Sequence, residues 1–267
     1  TLSQLRGLIR TSEDLERVGQ FVKRLSEHGF SAQSQLAEVF GNQFADREYN
    51  SEKQGYEYLP DKKFSAWQET ITDSKKLDDA LSVMEAAFTH GANPEVFVNG
   101  IGRRFVQEAT PEQLDQLKED ISSLSDQAQF FKYEQGDHAK STLAKIFQAL
   151  NNEAIASRIQ TPEDFRRYAD KVMAMAKNHV IYDDKGNIHT GYYSYDAVGK
   201  AEQVVEDVQS IAALSRGDFD RDFDTILQMM RESPNPNGSV AQTLSQLRGL
   251  IRTSEDLERV GQFVKRL

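Results

Sequence analysis

The stretch Thr11–Leu25, TSEDLERVGQFVKRL, reads as the opening of an amphipathic helix. The Thr11 hydroxyl can accept from the backbone N–H three residues on, and Asp14 is placed to return the favour to the N-terminal amides, as in a capping box. Leu15, Val18, Val22 and Leu25 then follow at steps of three, four and three, which lays one narrow apolar stripe along a helix. The pattern recurs at Thr110–Leu124, TPEQLDQLKEDISSL, and at Thr161–Met175, TPEDFRRYADKVMAM. There Gln113 and Asp164 take the place of Asp14, and Pro111 and Pro162 occupy the first helical position, where a missing N–H does no harm. Their stripes are Leu114, Leu117, Ile121, Leu124 and Phe165, Tyr168, Val172, Met175. A looser version begins near Thr72 with Leu77, Leu81, Met84 and Phe88 and ends at His90-Gly91, as the first ends at His28-Gly29. A glycine there can take the left-handed conformation that closes a helix, and a histidine in the last turn faces the negative end of the dipole.

Second helices are expected to carry Leu36, Val39 and Phe40, and Val96, Phe97, Ile101 and Phe105, so the recurring unit is a helical hairpin. Further helices are expected over 64–71, 143–150, 198–214 and 219–230. The fold class is therefore all-α: irregular helical hairpins packed as a bundle or a short superhelical array. Residues 41–63 and 181–195 interrupt the helices and are rich in turn residues and tyrosine, which suits ordered loops or small hairpins. Tyr56, Tyr58, Tyr192, Tyr193 and Tyr195 in these loops are candidates for a protein-binding surface, since tyrosine supplies contact area at low entropic cost; pinning a loop to the helices beneath it is the simpler role. ESPNPNGS, residues 232–239, has the composition of a hinge or linker.

The opening phrase returns verbatim. Thr1–Leu25 and Thr243–Leu267 are identical, so residue n of the first twenty-five recurs at n + 242. Diverged hairpins elsewhere share pattern alone, and identity over this length implies a very recent duplication or deliberate engineering. In one reading residues 1–242 are a module of a tandem array, with an internal boundary near 108 or 160, and 243–267 are the first hairpin of the next module. The protein is then a non-enzymatic structural or protein-interaction module, a spacer or display scaffold whose partners are proteins or neighbouring copies of the module. In the other reading two copies of one terminal hairpin compete for a single docking site, which makes a conformational switch or a swapped dimer.

Composition restricts the chemistry. The absence of cysteine excludes disulfides, thiolate metal sites and a cysteine nucleophile, and a net charge of −10 disfavours nucleic acid as a partner. No apolar run reaches the ~20 residues of a membrane span. The compartment stays open between cytoplasm and bacterial surface. The sequence lacks a GxSxG elbow, a phosphate loop and an HExxH helix, and Gly100-Ile101-Gly102 lacks the third glycine of a dinucleotide fingerprint. The histidines at 28, 90, 138, 179 and 189 have no ligand spacing. No cofactor is expected. The one metal candidate is calcium at Asp218, Asp220, Asp222 and Asp224, which would converge if RGDFDRDFD were an extended loop. As a helix, the same segment would place Phe219, Phe223, Ile226 and Leu227 on a core face and its first aspartates at the positive end of the dipole. An enzyme built on carboxylates in a helical bundle is the third functional class.

Overall fold

A computed structural model describes residues 5, 7–41, 46–59, 61–91, 94–133, 136–180, 200–215, 217–232 and 240–264. The chain is all-α, with two short antiparallel ribbons, and it divides into two compact units, Thr1–Ser122 and Ser123–Leu267. That division lies within a helix, between the positions 108 and 160 suggested by the sequence.

The first unit contains α1 (Ser12–Glu27), α2 (Ala32–Phe40), α3 (Lys62–Thr70), α4 (Ser74–His90), α5 (Glu95–Phe97) and α6 (Arg103–Glu108). Between α2 and α3, strands β1 (Asp46–Asn50) and β2 (Gly55–Leu59) pair antiparallel with Tyr49 opposite Tyr56. A π turn, Val98–Gly102, joins α5 to α6. It explains Gly102: a Cβ there would press on Val83 of α4 at 3.2 Å, so the glycine serves close helix packing. The π turn also presents Asn99 Oδ1, which accepts the indole N–H of the fully buried Trp67 at 2.7 Å. Helix α1 packs on α2 and α4, and α3 packs on α2 and α6.

Helix α7 (Pro111–Ala128) contains the unit boundary. The second unit continues with a two-residue ribbon of β3 (Lys132–Tyr133) and β4 (Gly136–Asp137), then α8 (Ala139–Leu150), α9 (Glu153–Ala156) and α10 (Pro162–Asn178). A 3-10 turn, Lys200–Gln203, leads into α11 (Val204–Leu214). It is followed by α12 (Phe219–Glu232), α13 (Val240–Gln246) and α14 (Ser254–Val264). Helix α11 packs on α8, α12 and α13, and α14 packs on α12 and α13.

Capping boxes form at Thr11/Asp14 and Thr161/Asp164, and Thr110 and Gln113 exchange the same pair of hydrogen bonds. The stripes of α4, α7 and α10 are buried as the spacing implies. Gly29 closes α1 with φ +81°, but Gly91 closes α4 in extended backbone at φ −128°, so the left-handed stop expected there is absent. The stripe expected on α1 also differs. The helix buries Val18, Phe21 and Leu25, together with Asp14, and leaves Leu15 46% exposed.

Candidate functional site: one sequence docked by two faces

Residues 12–22 and 254–264 carry the same sequence, and both are helical. Local interactions recur in both. The Asp14 amide donates to the Thr11 hydroxyl at 3.1 Å and the Asp256 amide to Thr253 at 3.1 Å; Arg17 reaches Asp14 at 3.2 Å and Arg259 reaches Asp256 at 3.3 Å. These contacts are written in the sequence itself, so each copy makes them wherever it lies.

Burial does not recur. In the first copy Leu8 and Phe21 are buried; their counterparts Leu250 and Phe263 are 65% and 58% exposed. In the second copy Leu257 and Ile251 are buried, while Leu15 is exposed and Ile9 half-buried. The centres of the two buried faces lie roughly 100° apart around the helix at 3.6 residues per turn. Val18, buried, and Val260, half-buried, occupy the edge that the two faces share.

Each face meets a different surface. On the first, α1 lies against α4, with Arg24 Nε 2.7 Å from Glu85 and Arg10 donating to the Ile71 carbonyl at 2.8 Å. Burial pushes the Asp14 carboxyl up, but the Ser74 hydroxyl, the Arg10 and Thr11 amides and the Thr11 hydroxyl all donate to it and hold it below its ordinary value. On the second face, α14 lies against α12, where Arg221 reaches Glu255 at 3.3 Å and Glu258 at 2.8 Å. A Cβ on Gly261 would overlap the Met229 thioether, whereas a Cβ on Gly19 would meet nothing within 4 Å. The glycine therefore lies against the end of the Met229 side chain in one copy and against open space in the other. A groove of about 720 Å³ runs beside this contact, lined by Asp224, Gln228 and Glu232 of α12 and by Glu258 and Gln262 of α14.

The aspartates singled out by sequence lie at the start of and along α12, and their spacing of two sends them to opposite sides. Asp218 accepts the Arg221 amide at 3.1 Å at the helix N-terminus. Asp222 is buried and accepts the Ser215 hydroxyl at 2.9 Å. Asp220 and Asp224 face α10: Tyr168 donates to Asp220 at 2.5 Å, and Lys171 lies 2.7 Å from Asp224. Burial and the Asp220 hydrogen bond raise the Tyr168 phenol well above its usual value, keeping it a donor. Among the described residues no group of three or more acidic or histidine side chains is arranged to hold a metal ion. Tyr56 and Tyr58 lie on β2, opposite Tyr49 and Arg47 of β1; Tyr192, Tyr193 and Tyr195 fall outside the described residues.

One buried pair had no sequence signal. His179, at the C-terminal end of α10, hydrogen-bonds through Nε2 to the fully buried Asp207 of α11, twenty-eight residues away in the chain. No local pattern pairs the two, because only the packing of α10 on α11 brings them together.

No protein-family model, curated protein or solved structure matches this chain.

Proposed function

We propose that this protein is a structural module of a tandem array, non-enzymatic, that spaces or displays protein-binding surfaces along a longer chain. Residues 1–242 are one module and residues 243–267 open the next. The observation that carries the reading is the pair of identical segments, each helical and each packed within a separate unit by a different face. Two copies competing for one slot would present the same face to the same neighbours. A linking helix within an array has two sets of neighbours, its own module and the one before it.

The test is the mass by light scattering, with thermal unfolding, of the whole chain and of truncations lacking residues 1–25 or 243–267. The reading expects a monomer in which each truncation lowers the melting temperature and removes helicity. A dimer that falls apart on truncation, or a copy that is dispensable, would establish competition for one slot instead.

A further inference from the structure

The second copy leaves bare what the first copy buries. Leu250, in the turn before α14, and Phe263, in its last turn, stand 65% and 58% exposed, and the identical side chains in the first copy, Leu8 and Phe21, are 1% and 0% exposed in the first unit. Each is a large apolar group left in solvent, and the same sequence is seen docked elsewhere in the molecule with both buried. The surface that accepts it is known: the α4 face of the first unit, where Glu85 receives Arg24 and the Ile71 carbonyl receives Arg10. The seat of α14 on α12 uses Leu257 and Gly261 and leaves Leu250 and Phe263 uncovered.

We infer that the second copy of the repeated segment, through Leu250 and Phe263, docks on the first unit of a second copy of this module, which covers these side chains as it covers Leu8 and Phe21. This rests on the tandem-array reading and specifies its junction. The repeated helix is a two-faced connector: Leu257 and Gly261 hold it to the module that ends, and Leu250 and Phe263 hold it to the module that begins. One helix thus belongs to two cores, and successive modules are joined head to tail by a heterologous contact that repeats without closing. In the present chain the first unit's slot is filled by its own α1, so the contact between copies is blocked.

Emptying that slot tests the inference on the full-length chain. Phe21→Asp places a carboxylate where α1 meets the core and expels the first copy, while α14 keeps its wild-type face. A second molecule's α14 then occupies the vacated site. Light-scattering mass should rise at least twofold with concentration, and the unfolding midpoint of the first unit, read by the single tryptophan, Trp67, should rise with concentration too. Phe263→Asp alone should leave mass and midpoint unchanged. The double variant Phe21→Asp/Phe263→Asp should keep the mass of one chain at every concentration, with a lowered, concentration-independent midpoint. A Phe21→Asp chain with concentration-independent mass and melting overturns the inference, whether or not its first unit remains folded. Equal association of the double variant also overturns it, since the contact would not involve Phe263. Either result with a monomeric wild type in which both truncations are destabilising rejects this junction alone; a dimeric wild type or a dispensable copy rejects the array.

Discussion

Glycine at 19 and at 261 is the same letter under different constraints. In a helix interior it costs about 1 kcal/mol relative to a good helix former, so Gly19→Gln, with open space around it, should leave the first unit unchanged or stabilise it by up to about 1 kcal/mol. Gly261→Gln must turn the end of the Met229 side chain aside, so it should be less stable than Gly19→Gln by up to about 1 kcal/mol, at the low end of the range for overpacking. Denaturant unfolding of the two variants measures the difference, and equal effects would contradict the packing described. Asp14 gives a pH dependence. Its folded-state pKa lies below the ordinary value of 3.8, so the stability it contributes is complete above that value and is lost as pH falls through the lower, folded one. Asp14→Asn should lower stability at neutral pH and flatten the acid limb of the Trp67 unfolding midpoint below pH ~4. An unchanged acid limb would mean that other groups govern it.

At the scale of elements, helix starts and stripes were legible because they depend on neighbours three and four residues away. All three threonine-capped phrases form their reciprocal hydrogen bonds, and α4, α7 and α10 bury the expected residues. Helix α1 was misread for a physical reason: its apolar positions serve two faces, and the stripe Leu15, Val18, Val22, Leu25 runs between them. The aspartates of α12 were legible as a helix start, and their partners Tyr168, Lys171 and Ser215 come from elements no local pattern could assign. The pair of His179 and Asp207 was invisible for the same reason. Removing one member leaves the other buried without its hydrogen bond, so His179→Ala should destabilise the second unit by about 1–3 kcal/mol or more. Helicity measured on urea unfolding checks this, and a change below about 0.5 kcal/mol would show that the pair carries no weight.

For the molecule as a whole, the consequence is that its beginning and its end are two uses of one helix. The duplicated phrase was plain in the sequence; that the copies would be buried on different sides was not, because identical sequences have identical propensities and only their surroundings differ. The most direct measurement is a crossed set of alanine substitutions, Phe21→Ala, Phe263→Ala, Leu15→Ala and Leu257→Ala, each followed by mass and by unfolding at Trp67 and by circular dichroism. Phe21→Ala should cost the first unit about 3–5 kcal/mol and Leu257→Ala should cost the second about 2–5 kcal/mol, as large-to-small changes in a core do. Phe263→Ala and Leu15→Ala, at exposed positions, should stay within about 0.5 kcal/mol of wild type and remain monomers. Matching losses from Phe21→Ala and Phe263→Ala, or from Leu15→Ala and Leu257→Ala, would mean that both copies dock by one face, and the account of a two-faced connector would be wrong.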